Sequence, residues 1–234
     1  MDNLYTRQAP LELYIPQSVV VIGVGGTGTW VAIGLAMSGV PELYLIDPDY
    51  LEDHNRNRLP FPQSQVSRSK VDVVGDFIVS LRPDINLIKI QTRANRDTLG
   101  IIPSELIVDC TDRYKLQLEL CDACKELNKE YVRCGYDGTK LTVTSTIPKW
   151  DLGDAPDDGY TVVPSWVATP MIAAGIALAK IMCNLELEVS IDIVRDIVNG
   201  NKKVPKKRTQ ETKFTPEKTL QQATSFYPEG DVRS

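Results

Sequence analysis

Val19-Val20-Val21-Ile22 runs directly into Gly23-Val24-Gly25-Gly26-Thr27-Gly28, and the whole stretch from Ser18 to Asp49 reads as strand, glycine turn, helix and second strand. The β-branched run is what a strand buried on both faces of a parallel sheet requires. A turn this rich in glycine lets the backbone bend sharply and approach a phosphate, while the next helix points its unpaired N–H groups at the anion. That helix is expected over Thr27–Ser38, apolar nearly all round through Trp30, Val31, Ile33, Gly34, Leu35 and Met37, with Gly39 as its C-terminal cap. Leu43-Tyr44-Leu45-Ile46 forms the second strand and ends in Asp47-Pro48-Asp49, where a carboxylate at the strand's carboxyl end can accept from a ribose. A lone GxGxxG is weak evidence. Here strand, turn, helix, second strand and terminal acid stand in order, and nucleotide binding is the expectation.

The rest of the composition narrows the class. The chain has 234 residues, 42% of them hydrophobic, enough for one substantial core and one α/β domain. Its net charge of -5 argues against a nucleic-acid partner, which would need a basic face. The N-terminus carries no apolar signal core, and no segment approaches the roughly 20 apolar residues of a membrane span. The expectation is a soluble, cytoplasmic protein without membrane association. Five cysteines, an odd number, fit reduced thiols better than a disulfide framework.

Outward from the glycine turn, residues 1–17 read as an arm, with Pro10 and Pro16 discouraging one long helix. After Asp49 comes a polar loop or short helical turn dense in Asn and Arg, through His54, Asn55, Arg56, Asn57 and Arg58. Helical spacing of Val71, Val74, Phe77, Ile78 and Leu81 predicts an amphipathic helix over Ser69–Arg82 that begins with Lys70. Ile85–Ile90 is a third strand, Asp97–Ile102 a helical connector, and Leu106–Asp109 a fourth strand that delivers Cys110-Thr111-Asp112-Arg113 at its carboxyl end. A helix over Tyr114–Asn128, a strand from Glu130, an antiparallel strand over Lys140–Ile147, a buried helix Met171–Cys183 and a strand over Leu187–Ile193 complete the reading. Residues 148–164 read as a long acidic loop and 200–234 as a polar, basic tail, which leaves 1–199 as the folded domain. The predicted fold is a doubly wound, Rossmann-like α/β domain, its mainly parallel sheet extended by antiparallel strands.

In order along the chain, these residues resemble the ThiF/MoeB superfamily, the adenylating enzymes that activate the C-terminal glycine of ubiquitin-like proteins. Tyr5-Thr6-Arg7-Gln8 resembles the family's N-terminal Tyr-x-Arg-Gln, whose arginine reaches across a homodimer to the partner's ATP. Gly23, Gly25, Gly26 and Gly28 match the phosphate turn, and Asp47 and Asp49 the paired acids, the first of which serves the ribose. Asn55 and Arg58 match its Asn-x-x-Arg, and Lys70 its phosphate-binding lysine. Asp109-Cys110-Thr111-Asp112 matches its Asp-Cys-Thr-Asp, whose last acid serves Mg²⁺. The resemblance implies ATP and Mg²⁺ as cofactors, Arg7, Arg58, Lys70 and Asp112 as catalytic residues, a homodimer, and a ubiquitin-like or sulfur-carrier protein as partner.

The chemistry fits that inventory. A carboxylate that attacks the α-phosphate of ATP is already an anion and needs no general base; the site must hold two negative groups together and neutralise the leaving pyrophosphate. Each residue also has a plainer reading: Arg58 and Lys70 as solvated charges, Asp109 or Asp112 as a cap for the helix from Tyr114. The chain departs from the family pattern at Leu59, where Gln is usual, and at Arg113, where Asn is usual. A non-catalytic nucleotide- or partner-binding module therefore stays open, as does a nicotinamide-type Rossmann enzyme. Only one Cys-x-x-Cys, Cys121 to Cys124, is present where zinc-binding members carry two pairs, so no zinc is expected. Residues 148–164 hold no cysteine, and Cys110 and Cys183 read as structural thiols, so a thioester cysteine is not expected.

Overall fold

In this computed structural model, residues 3–147 and 164–198 are described. The acidic segment 148–163 and the basic tail expected at 200–234 lie outside the described residues. The strands are β1 (Ser18–Ile22), β2 (Glu42–Ile46), β3 (Asn86–Ile90), β4 (Leu106–Asp109), β5 (Glu130–Asp137), β6 (Lys140–Thr144) and β7 (Val189–Asp192). The helices are α1 (Gly26–Met37), α2 (Lys70–Leu81), α3 (Arg96–Ile101), α4 (Tyr114–Glu126) and α5 (Ala168–Met182).

One sheet runs in the order β3-β2-β1-β4-β5-β6-β7. β1 pairs in parallel with β2 on one side and β4 on the other, with Val19 opposite both Leu43 and Leu106. β6 and β7 add antiparallel, as the alternation at Lys140 predicts. The chain leaves β1 in one direction toward β2 and β3 and returns to its other side with β4. The crevice between the carboxyl ends of β1 and β4 is therefore the topological switch point, where open α/β sheets bind ligands.

Alternate residues of β1 divide the core. Val19 and Val21 join α1, α2 and α5 on one face, while Val20 and Ile22 join α3 and α4 on the other. Burial on both faces is why β1 carries no polar residue between Val19 and Ile22. α1 is apolar all round because it lies between the sheet and α5; a Cβ on Gly34 would stand 2.3 Å from Leu178 Cδ1. Its end is set by Gly39 in the left-handed region at φ +101. Ser69 caps α2 by accepting from the Asp72 amide at 3.2 Å, and Asn95 caps α3 through the Thr98 amide at 2.8 Å. No helix among the described residues is long and apolar enough to cross a membrane.

Three expectations change in detail. β6 ends at Thr144 rather than Ile147, and β7 covers only Val189–Asp192 before a π-helical turn, Ile193–Val198. Cys183 is exposed: it is the C-cap of α5, one residue past the buried face. The arm contains two 3-10 turns, Asn3–Tyr5 and Ala9–Leu11, consistent with the prolines that forbid a long helix.

Candidate functional site

The glycine turn is built by close approaches of backbone. Gly23 adopts φ +80, and a Cβ there would lie 3.0 Å from the Cys110 carbonyl, so β1 and β4 can leave the sheet side by side only with glycine at this position. A Cβ on Gly28 would stand 1.9 Å from the Gly23 carbonyl oxygen, which brings the first turn of α1 down onto the strand end. At Gly26 the space is taken by the Tyr136 hydroxyl at 2.6 Å and by Arg58 Cδ at 3.2 Å. Around Gly25 there is nothing within 4 Å. The turn is closed by the protein everywhere except at Gly25, and that opening lies at the N-terminus of α1, where N–H groups lack intrahelical partners.

Carboxylates brace this opening. Asp47, 4% exposed at the end of β2, accepts from the Val24 amide and from the Asp49 amide, both at 2.8 Å, and so ties β2 to the glycine turn. Burial pushes its pKa up, against the pull of Lys70 and of the two amides. Lys70 is the first residue of α2, and its Nζ sits 2.9 Å from Asp49 Oδ2. It is held there by its own amide, which donates to the Asp49 carbonyl at 2.9 Å, and by the bridge between Tyr50 and Ser69.

Asn55 and Arg58 come from the 3-10 turn Asp53–Asn57. Asn55 is buried, and its Oδ1 accepts from the Glu52 amide at 3.1 Å in a capping box that fixes the turn. The Arg58 backbone is held from α1, where Trp30 Nε1 donates to its carbonyl at 3.0 Å, and its stem lies against Gly26. Leu59, one of the departures from the family pattern, packs in the main core, 6% exposed, and so does not face the opening.

On the β4 side, Asp109 is fully buried. Oδ1 accepts from the Thr111 amide at 2.9 Å and the Thr111 hydroxyl at 2.7 Å, and Oδ2 from the Tyr131 hydroxyl at 2.7 Å. Desolvation raises its pKa despite these donors. Asp109 thus shapes the turn after β4 and does not cap α4. Neither does Asp112, because the N-cap position is Arg113 and no side chain caps it. Asp112 is exposed and makes no side-chain hydrogen bond or ion pair among the described residues. Cys110 and Cys134 on β5 are free thiols; a hydrogen bond between them and desolvation hold the Cys110 thiol well above its ordinary pKa, the behaviour of a structural thiol. Cys121 and Cys124 lie on the buried face of α4, in the second core cluster.

Arg7 stands apart. Its neighbour Tyr5 packs against Gly39, and Gln8 Nε2 donates to the Ser38 carbonyl at 2.7 Å, so the arm is fastened to the C-terminal end of α1. The glycine turn is at the other end of this 12-residue helix, about 18 Å away at 1.5 Å per residue. Arg7 is exposed there without a polar partner among the described residues.

The structure also brings in residues that the sequence reading did not single out. Tyr136 reaches Gly26 from β5 and shares a hydrogen bond of 2.6 Å with Ser165, which in turn receives Asn57 Nδ2 on its carbonyl at 2.9 Å. No local signal marks them, since the partners lie 29 and 108 residues apart.

Residues 14–183, which contain every element from β1 to α5, match the ThiF family. The chain belongs to that family. It is 31% identical over 145 residues to the sulfur carrier protein ThiS adenylyltransferase of Escherichia coli (strain K12), an alignment covering 59% of this chain and 57% of that protein. It is 31% identical over 132 residues to ubiquitin-like modifier-activating enzyme 5 of Caenorhabditis elegans, covering 51% of this chain and 32% of that enzyme. The chain therefore spans little more than half of the first relative and a third of the second. Its structure matches E. coli MccB crystallised with ATP at a TM-score of 0.69 and 21% identity, over 82% of this chain and 68% of MccB. At that identity the likeness is one of fold.

Proposed function

We propose that this ThiF-family protein adenylates the C-terminal glycine carboxylate of a small ubiquitin-like or sulfur-carrier protein, using ATP and no thioester cysteine of its own. The observation that carries the reading is the meeting of an open glycine turn with two cations of suitable reach, Lys70 beside Asp49 and Arg58 against Gly26. A carboxylate oxygen of the partner would attack the α-phosphorus, forming one P–O bond while the bond to the pyrophosphate oxygen breaks. The products are an acyl-adenylate and pyrophosphate, and no proton moves. Asp47 would receive the ribose hydroxyls, while the α1 N-terminus, Arg58 and Lys70 offset phosphate charge.

Among the described residues no group of three or more His, Cys, Asp or Glu side chains could hold a metal by itself. Mg²⁺ suits a sparser donor set, one or two carboxylates plus phosphate and water oxygens, and the uncommitted carboxylate of Asp112 fits it. The metal would supply charge neutralisation at the phosphates. Arg7, too far from its own glycine turn, would act on the ATP of a second copy, which makes the working unit a homodimer. Residues 1–199 would form this adenylation domain and 200–234 its tail, in a cytoplasmic protein.

ATP–pyrophosphate exchange measured with candidate carrier proteins tests the reading. Exchange is expected only with a carrier that ends in glycine and is lost when that glycine is removed. Arg7→Ala and Lys70→Ala chains, each inactive alone, are expected to recover about a quarter of wild-type exchange when mixed, since half the dimers then hold one intact site. Tight NAD binding without ATP binding would overturn the proposal.

A further inference from the structure

Arg58 uses one nitrogen on the protein and keeps the rest of its guanidinium. Nη1 donates to the His54 carbonyl at 3.1 Å and to Asn57 Oδ1 at 2.9 Å. Nε and Nη2 have no acceptor among the described residues, which leaves three N–H donors on the free edge of the fork. What holds the committed edge is a closed ring of contacts. The Asn57 amide is used at both ends, with Oδ1 receiving Arg58 and Nδ2 donating to the Ser165 carbonyl at 2.9 Å. Ser165 Oγ shares a hydrogen bond of 2.6 Å with the Tyr136 hydroxyl. The Tyr136 hydroxyl and Arg58 Cδ then meet over the same point of Gly26, 2.6 and 3.2 Å from where a Cβ would be.

The segment that carries Ser165 is itself pinned to the β5–β6 turn. The Gly138 amide donates to the Pro164 carbonyl at 2.9 Å, and Thr169 Oγ1 donates to the Gly138 carbonyl at 2.6 Å. Both edges of the glycine turn, the 3-10 turn on one side and β5 on the other, are therefore joined through Ser165 and Asn57.

We infer that Asn57 is a positioning residue for Arg58, and that Tyr136 and Ser165 complete the brace which presents the free edge of Arg58 to a phosphate ligand. The inference rests on the proposed role of Arg58 as a phosphate-binding cation. Asn57 is exposed, so the brace contributes little to folding; its effect lies in where the cation stands. Rotating the Asn57 amide would set its NH₂ against the guanidinium, so only one orientation serves both bonds.

The test is a double-mutant cycle on the ATP dissociation constant, measured by calorimetry with Mg²⁺ on the full 234-residue chain. Asn57→Ala is expected to weaken ATP binding about fivefold when Arg58 is present and to have no further effect in an Arg58→Ala chain. Tyr136→Phe, which opens the ring from the other side, is expected to weaken it about twofold with the same dependence on Arg58. Asn57→Ala is expected to keep the wild-type unfolding midpoint, and Tyr136→Phe, which also loses a half-buried hydrogen bond, to lower it equally whether or not Arg58 is present. An equal loss in both backgrounds, or no loss in either, overturns the inference. ATP binding without pyrophosphate exchange for any carrier would sink adenylation alone and leave the cycle to decide the brace; a wild-type chain that does not bind ATP would sink both.

Discussion

The two ends of α1 are built on opposite plans. At its C-terminal end the polar groups that fasten the arm are paired, although Arg7 beside them is not among the described residues. Arg82, 6% exposed, holds Asp84 through Nε at 2.9 Å and Nη2 at 2.7 Å, while Nη1 donates to the Ala36 carbonyl at 2.6 Å and to the Tyr5 hydroxyl. Its guanidinium also lies 5.4 Å from the centroid of the Tyr5 ring. At the N-terminal end donors and acceptors are left over: the helix amides around Gly25, the free edge of Arg58 and the carboxylate of Asp112. A saturated network fastens a segment, here the arm. An unsaturated one at a switch point keeps its bonding capacity for a ligand.

Within the glycine turn the same contrast separates two glycines, and it predicts the largest effect. Gly28→Ala would set a methyl 1.9 Å from a backbone carbonyl that cannot rotate away, at an expected cost of about 3 kcal/mol or more in denaturant unfolding. Gly25→Ala meets nothing within 4 Å and should cost only about 1 kcal/mol, while weakening ATP binding about tenfold because the methyl occupies the approach to the phosphates. Equal losses of stability for the two would mean that the turn has no open side.

A smaller effect on the fold, confined to function, is expected where a side chain is uncommitted. Asp112→Asn removes no hydrogen bond among the described residues, so stability should stay within about 0.5 kcal/mol of wild type while pyrophosphate exchange falls about a hundredfold. Unchanged exchange would remove Asp112 from the site.

Sequence reading recovered what is local and missed what is assembled. The strand, turn, helix and acid from Ser18 to Asp49 are legible because each depends on neighbours in the chain: Val19–Ile22 on alternate faces, Gly23 on its own φ, Asp47 on the strand end. Lys70 was legible as the start of an amphipathic helix. By contrast, the Arg82 clamp depends on Tyr5, 77 residues earlier, and Tyr136 reaches the glycine turn only because β5 lies beside β4. Neither has a periodicity or spacing of its own. Cys183 misled for a simpler reason: an apolar helix is buried along one stripe, and its last residue had already turned out of it. Leu59 departs from the family pattern yet is a core residue, since the 3-10 turn ends at Asn57 and brings residue 59 inward toward the main core.

The smallest expected effect is electrostatic, and it sets the two ends of α1 against each other in sign. At the arm, the Arg82 guanidinium lowers the pKa of Asp84 to about 2. The folded chain therefore holds this carboxylate ionised where the unfolded chain, at the ordinary value of 3.8, would protonate it. Its contribution to stability is complete above 3.8 and is lost as pH falls through about 2. At the glycine turn, burial raises the pKa of Asp47, so the folded chain binds the proton more tightly than the unfolded one. That contribution is present below the ordinary carboxylate value and is lost as pH rises through the raised one. Unfolding free energies of wild type, Asp84→Asn and Asp47→Asn, measured against pH, should separate the two. The advantage of wild type over Asp84→Asn should vanish toward low pH, whereas wild type should lose ground to Asp47→Asn, which stands in for the neutral carboxyl, as pH rises toward neutral. Asp84 is exposed, so added salt should shrink the first difference and leave the second, which arises from burial, nearly intact. Two differences that moved in the same direction with rising pH would mean that ion pairing governs both carboxyls, and burial would then not be what sets Asp47 at the glycine turn apart from Asp84 at the arm.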